Sequence, residues 1–207
     1  MARPELLYPF IGLWEGLYSN NPNDKGGVTM RGITWGTYQA LCKIVLGFEP
    51  TVANHAALTV ANAQKFILYF WNQCKASGLN SQRIANMIVD WNWGSGYWAI
   101  VNTRRGLNKV FGVGLDEGLQ TVTSQMIAII NSLPEQQAFD TITAERRAYY
   151  GRLNATGDIQ MTSNYHGWLN RLNDLIAKSP IPAIGGSLLF MAGLFFLGTY
   201  IFKNINR

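Results

Sequence analysis

Apolar residues recur every three to four positions along most of this chain, the spacing that places them on one face of an α-helix. Polar and glycine-rich turns separate the periodic segments, and a cluster of Asn, Asp and Gly covers residues 19–34. The pattern predicts a mainly α domain with at most a small β-hairpin near residues 26–34. The predicted helices cover residues 4–18, 35–46, 60–75, 81–91, 97–110, 119–133, 134–153 and 165–178.

One segment departs from this amphipathic pattern. Residues 180–202 contain no charged side chain, with Lys178 just before and Lys203 just after them. A helix needs about 20 apolar residues to cross the hydrocarbon core of a bilayer. We therefore expect a helical domain at 1–178, a linker at 179–180, a single membrane span at 181–202 and a short tail at 203–207.

The formal net charge of +5 favours polyanionic partners, among them anionic lipid, bacterial wall polymers and nucleic acid. The basic residues are spread along the chain, and Arg104-Arg105 and Arg146-Arg147 are only pairs. This distribution argues against nucleic acid as the partner.

The two cysteines, Cys42 and Cys74, lack CxxC spacing and a nearby histidine cluster, so neither a metal nor a cofactor is predicted. Two separated core thiols are favoured over a single disulfide.

Two carboxyl groups stand in contrasting surroundings. Glu15 ends an apolar helical segment beside Trp14, whereas Asp24 lies in a polar loop before Gly26 and Gly27. Glycoside cleavage needs a carboxylic acid to protonate the leaving oxygen and a second group to orient water or stabilise positive charge. Taken alone, a helix-terminal Glu and a turn Asp are also ordinary structural residues.

The string that contains both residues, WEGLYSNNPNDKGGVTMRGIT, closely resembles the signature of glycoside hydrolase family 108, the N-acetylmuramidases. In that family a Glu-Gly-Gly-Tyr element leads into Pro-x-Asp-x-Gly-Gly-x-Thr and Gly-Ile-Thr. Leu17 stands where the second glycine of the first element is usual. The spacing of eight residues between Glu15 and Asp24 is also similar to that of phage-type lysozymes, in which Glu, Asp and Thr line the cleft.

The resemblance implies a role for each matching residue. Glu15 is the expected general acid, and Asp24 the carboxylate that orients water or stabilises charge. Thr29 is the expected hydroxyl, although it lies one residue closer to the aspartate than in phage-type lysozymes, and Thr34 is the alternative. Tyr18 and Thr34 are expected to contact substrate.

The resemblance extends downstream, where residues 81–177 look like the helical peptidoglycan-binding region that accompanies this family. The matching stretches are residues 88–96, 107–108, 114–118, 145–150 and 167–171. An aromatic cluster begins in the first of them and continues just beyond it, and we expect Trp91, Trp93 and Tyr97 to provide rings for the glycan. For Asp90, helix packing is favoured over a place in the cleft.

The sequence therefore predicts a membrane-anchored peptidoglycan hydrolase that cleaves the β-1,4 bond between N-acetylmuramic acid and N-acetylglucosamine. Its architecture suggests a phage protein for host lysis or wall penetration at entry, located in a viral internal membrane or the host inner membrane. The alternatives are a lytic transglycosylase, a non-catalytic membrane-tethered wall-binding protein and a virion structural protein. The sequence assigns no oligomeric state.

Overall fold

The computed structural model describes residues 1–19 and 27–179 of the chain. In this part the helices are α1 (Tyr8–Glu15), α2 (Trp35–Leu46), α3 (Val52–Ala56), α4 (Val60–Gln73), α5 (Gln82–Ser95), α6 (Trp98–Phe111), α7 (Ser124–Ser132), α8 (Glu135–Asn154) and α9 (Ile159–Ala177). Short 3₁₀ turns cover Pro4–Leu6 and Ala76–Gly78. The strands are β1 (Tyr18–Ser19), β2 (Thr29–Met30) and β3 (Ile33–Thr34).

The three strands form a small antiparallel sheet in the order β1-β2-β3. Tyr18 pairs with Met30, and Met30 pairs with Ile33 across a two-residue hairpin turn. The predicted fold class, mainly α with a small β element, is confirmed for the described residues, and the arrangement fits a lysozyme-like domain.

Two apolar cores hold the domain together. The larger core is built by α1 and the helices from α4 onward, with α8 packed against α5, α6 and α9. The smaller core joins the hairpin to α2 and α4 through residues such as Ile33, Tyr38 and Phe66. Trp93 of α5 packs against both cores. The ring therefore lies where the sheet-bearing part of the domain meets the helical part.

Local polar groups set where several helices begin. The Ser81 hydroxyl accepts a hydrogen bond from the Ile84 N–H, which confirms the start predicted for α5. The predicted start at Pro134 is also confirmed, since α8 begins at the next residue. The Asp158 carboxylate caps α9, so this helix begins at Ile159, six residues before the predicted start at residue 165.

The first helix is shorter than its apolar periodicity suggests. Residues 4–6 form a 3₁₀ turn, and α1 ends at Glu15 because Gly16 takes a positive φ of 60°. The chain then turns into β1, where Tyr18 pairs with the sheet. The prediction of one helix over residues 4–18 was wrong at both ends, and the glycine that stops it places Glu15 at a helix terminus.

Both cysteines are free and buried, as expected for separated core thiols. The predicted membrane span at 181–202 lies outside the described residues. Within the described ranges, no helix is both long enough and apolar enough to cross a bilayer.

Leu172 tests whether the last helix belongs to the main core. Its side chain is fully buried where α9 meets that core, and we expect Leu172→Ala to lower the free energy of unfolding by about 2–5 kcal/mol. The matched control is Ile159→Ala on the same helix, because Ile159 is 79% exposed and should change the value by less than about 0.5 kcal/mol. Chemical denaturation of the full chain measures both, and equal losses would contradict the packing described for α9.

Candidate active site

Glu15 lies where α1, the hairpin, α5 and α9 meet. Its side chain is 18% exposed, so it is accessible from solvent but mostly enclosed by protein. The Trp93 indole Nε1–H donates to Glu15 Oε1 at 2.7 Å, and Arg171 Nη1 donates to the same oxygen at 2.5 Å. The carboxyl group is therefore held by a donor from α5 and a donor from α9.

The hairpin turn packs directly against this carboxyl group. Arg31 and Gly32 form the turn with φ values of 50° and 79°, and positive φ at both central residues is what a type I′ turn requires. A Cβ atom built on Gly32 would lie 2.5 Å from Glu15 Cγ and Oε2. Gly32 is thus required twice, once for the turn and once for the close approach of Glu15.

Arg171 joins Glu15 to a second, fully buried carboxylate. Its Nε and Nη2 atoms donate to Asp90 Oδ1 at 3.0 and 2.7 Å, while its Nη1 reaches Glu15. On the other side, Arg146 Nη2 donates to Asp90 Oδ2 at 2.8 Å. Two guanidinium groups and two carboxyl groups therefore form one continuous network across α1, α5, α8 and α9.

Charge pairing within the network outweighs its burial. Burial acts to raise the pKa of Asp90, but the guanidinium groups of Arg171 and Arg146 lower it below its ordinary value. Burial likewise acts to lower the pKa of Arg171, and the carboxylates of Asp90 and Glu15 raise it above its usual range. Asp90 and Arg171 are therefore both charged at neutral pH.

A second contact fixes the end of α1 against α9. The Trp14 indole Nε1–H donates to Asp174 Oδ2 at 2.8 Å, and Lys178 donates to the same oxygen. Arg171 and Asp174 are three residues apart and share one face of α9. Trp14 and Glu15, at the end of α1, thus bind Asp174 and Arg171 on the same face of α9. These two contacts orient Glu15.

The sheet carries the other candidates from the N-terminal motif. Thr29 Oγ1 donates to the Gly27 carbonyl at 3.3 Å, and Tyr18 is 59% exposed on the neighbouring strand. Thr34 caps α2, since its hydroxyl accepts a hydrogen bond from the Thr37 N–H at 3.1 Å. Asp24 lies outside the described residues.

The three aromatic candidates of the second motif occupy different environments. Trp93 reaches Glu15, and Tyr97 is 41% exposed at the corner between α5 and α6. Trp91 is fully buried and packs against Tyr149, so it presents no ring face to a glycan in this arrangement.

A surface depression of about 300 Å³ includes Phe70, a ring neighbour of Trp93, in its lining. Tyr69, Phe70, Tyr97 and Gln120 are among the residues that line it. The Phe70 ring meets the Trp93 ring edge-on at 5.3 Å between centroids, so one wall of the depression contacts the residue that binds Glu15. Over residues 1–19 and 27–179, no group of three or more His, Cys, Asp and Glu side chains is arranged to hold a metal ion.

The comparisons with known proteins bear on this site. Residues 8–96 match the family model for glycosyl hydrolase 108. The match supports a glycoside hydrolase. It spans Glu15, Gly32, Asp90 and Trp93, whereas Arg146 and Arg171 lie beyond its end.

A solved structure, SagA from Brucella abortus, has a similar fold with a TM-score of 0.66. The two sequences are 22% identical, and the alignment covers 87% of this chain and 98% of that chain. The comparison with curated proteins found no match. At this level of identity the structural likeness supports the fold, and the family match is what points to glycoside hydrolysis.

Arg171 is the site residue that sequence reasoning missed. It ends the stretch 167–171 noted for its resemblance, but an arginine on an amphipathic helix carries no signal that it meets Glu15, 156 positions away. The helix-packing interpretation of Asp90 was incomplete, because this residue also binds the arginine that holds Glu15.

Gly32→Ala tests the contact between the hairpin and Glu15. The added methyl group would displace the Glu15 side chain, and we expect the free energy of unfolding to fall by about 1–3 kcal/mol more than in the control. The control, Gly27→Ala, introduces alanine at a similar φ of 68° with no atom within 4 Å of the new Cβ. If both variants lose the same free energy of unfolding in chemical denaturation, backbone strain alone would explain the need for glycine at position 32.

Proposed function

We propose that this protein is a muramidase, which hydrolyses the β-1,4 bond between N-acetylmuramic acid and N-acetylglucosamine in peptidoglycan. One observation carries the proposal: Glu15, in the segment that matches glycosyl hydrolase 108, is a partly exposed carboxyl group held by Trp93 and Arg171. A positioned carboxyl group at the edge of solvent is what protonation of a glycosidic oxygen requires.

The geometry assigns different tasks to the two oxygens of Glu15. Trp93 and Arg171 both donate to Oε1, whereas Oε2 lies against Gly32, a residue without a side chain. Oε2 is therefore the oxygen that we assign to proton transfer. In this scheme, Glu15 donates its proton to the leaving oxygen of N-acetylglucosamine as the bond to the anomeric carbon of N-acetylmuramic acid breaks.

A water molecule must then add to the anomeric carbon. We assign its orientation to Asp24, from the position of this residue in the motif, with the Thr29 hydroxyl as its partner on β2. The bond from water oxygen to the anomeric carbon forms on the face opposite the leaving group, and the proton of that water passes to the Asp24 carboxylate. Thr34 is left as the reserve hydroxyl, although its role as the cap of α2 already occupies it.

The glycan itself needs contacts on both sides of the cleaved bond. Tyr18 on β1 and Tyr97 at the start of α6 are exposed aromatic side chains, and Trp93 lies between the acid and the depression beside Phe70. Aromatic rings commonly form the walls of ligand pockets. We therefore assign substrate contacts to Tyr18, Trp93 and Tyr97, and assign Trp91 to the core.

We propose a membrane location for this protein on the basis of its apolar segment at residues 181–202. Residues 181–202 have the length and composition of a single membrane span, which would tether the domain to a bilayer through a short linker. The net charge of +5 suits anionic lipid and wall polymers near that surface. A tethered muramidase of this kind fits a phage protein that opens the wall during host lysis or entry, in a viral or host inner membrane.

Glu15→Gln tests the proposed chemistry. Glutamine keeps the size and hydrogen-bonding ability of the side chain but cannot donate the acid proton, so digestion of purified peptidoglycan should fall by about 10²–10⁴-fold. Mass spectrometry of the products should find reducing N-acetylmuramic acid ends with the native protein. The charge-matched control is Glu5→Gln, which alters an exposed carboxyl group in the first 3₁₀ turn.

The products separate this proposal from its rivals. Ends of the 1,6-anhydro type would identify a lytic transglycosylase instead. Wall binding without fragments from either the native protein or the Glu15→Gln variant would indicate a non-catalytic wall-binding protein.

A further inference from the structure

We propose that Asp90 is a positioning residue for the catalytic acid, acting through Arg171: it holds the guanidinium in place and offsets its charge, so that Glu15 is free to take up the proton it must donate. The proposal rests on the assignment of Glu15 as general acid. It extends the active site to α5, α8 and α9.

The guanidinium group of Arg171 is held mainly by Asp90. Arg171 directs two of its nitrogens, Nε and Nη2, to Asp90 and one, Nη1, to Glu15. Asp90 is in turn fixed by Arg146, whose Nε donates to the Tyr150 hydroxyl at 2.9 Å. Because most of its bonds go to Asp90, the guanidinium stays in place whether Glu15 is protonated or ionised.

Asp90 also offsets the positive charge of that guanidinium group. With Glu15 ionised, the two carboxylates balance the two guanidinium groups of the network, and protonation of Glu15 leaves a net charge of +1. If Asp90 were neutral, that state would carry a charge of +2 in a largely buried cluster. The buried carboxylate therefore lowers the cost of protonating Glu15, which a general acid must do in every cycle.

The other charged groups on the described elements around Glu15 make their contacts away from Arg171. Asp174 binds Trp14 and Lys178 rather than Arg171, and Arg31 donates its Nε to the Leu58 carbonyl. The described elements around Glu15 carry, among other charged groups, Arg31 in the hairpin, Asp90 on α5, Arg146 on α8, and Arg171, Asp174 and Lys178 at and after α9. Among these residues, Glu15 and Asp90 are the two anions that bind Arg171 directly.

The pH dependence of peptidoglycan cleavage tests the proposal, since a general acid loses activity as it deprotonates on the alkaline side of the profile. Asp90 stays ionised through this range because the arginines hold its pKa below its ordinary value. We expect Asp90→Asn to move the alkaline limb of kcat/KM to lower pH by about one unit, because the unneutralised guanidinium then favours the carboxylate of Glu15.

Variants of Arg171 separate charge from position. Arg171→Met removes the cation, and we expect the alkaline limb to move to higher pH by about one unit, with a lower kcat because Glu15 loses a donor. Arg171→Lys keeps the charge but offers one nitrogen instead of a planar fork, so the limb should stay near its native position while kcat falls about tenfold. In the double variant with Arg171→Met, Asp90→Asn should shift the limb less than it does alone, because the contact through Arg171 is gone and only the longer-range charge of Arg146 remains.

Arg147→Met is the matched control for these substitutions. Arg147 also connects α8 to α9, through a hydrogen bond from its Nη2 to Asn173 Oδ1 at 2.8 Å, but it is exposed and lies outside the network. Its loss should leave the pH profile unchanged. If Asp90 had only a structural role, Asp90→Asn would lower activity equally at every pH without moving the alkaline limb. That result would overturn the proposal.

A second readout does not depend on catalysis. The Trp93 indole N–H donates to Glu15, so its NMR shift follows the ionisation of that carboxyl group, and Trp93→Phe assigns the signal. The midpoint of this titration should move in Asp90→Asn and Arg171→Met as the activity limb does. A native protein that titrates but does not cleave peptidoglycan would refute the proposed function alone, whereas unchanged midpoints in the variants would refute the role of Asp90.

If Asp90→Asn does not fold, the Arg171 variants decide the outcome. Arg171 is 15% exposed at the edge of the network and can be replaced with less disturbance. A limb that stays in place in Arg171→Met would mean that the guanidinium exerts no hold on Glu15, and the role assigned to Asp90 would fall with it.

Discussion

The structure depends on one shared guanidinium group. Arg171 binds the carboxyl group at the end of the first helix and the buried carboxylate in the middle of the domain, and it comes from the last described helix. A planar fork with several donors suits this position, since it can bind two acceptors in fixed directions. The N-terminal motif alone would leave Glu15 at a frayed helix end. The C-terminal helices turn that end into a defined site.

This arrangement explains why the domain needs two cores that meet at one tryptophan. The larger core holds α9 against α8 and α5, and thereby fixes Arg171 relative to Asp90. The smaller core holds the hairpin, whose Gly32 lies against Glu15. Trp93 packs against both cores and donates to Glu15. The position of Glu15 therefore depends on how the two cores are placed relative to each other. A site built in this way can be sensitive to packing changes far from the substrate.

Much of this organisation could be predicted from sequence, for identifiable reasons. Helical periodicity and cap residues such as Ser81 and Pro134 located most helices, and the motif around Glu15 led to the family whose model matches residues 8–96. The starts of α1, α7 and α9 and the short helix α3 were missed, because a 3₁₀ turn or a single capping side chain leaves little mark in an apolar pattern. The network of Asp90 and Arg171 could not be predicted, because it depends on tertiary contacts between residues 81 positions apart. The sequence also did not predict that Trp91 is buried while its neighbours Trp93 and Tyr97 remain within reach of solvent.

The central claim is that a glycan is cleaved at Glu15 while Arg171 holds that residue from the opposite side. The most direct measurement is a crystal structure of the Glu15→Gln variant with a bound peptidoglycan fragment. The account predicts a glycosidic oxygen within about 2.6–3.2 Å of the side chain at position 15, near the turn at Gly32, with Arg171 still bound to Asp90. A fragment bound elsewhere on the domain, or an Arg171 withdrawn from both partners in the complex, would contradict it.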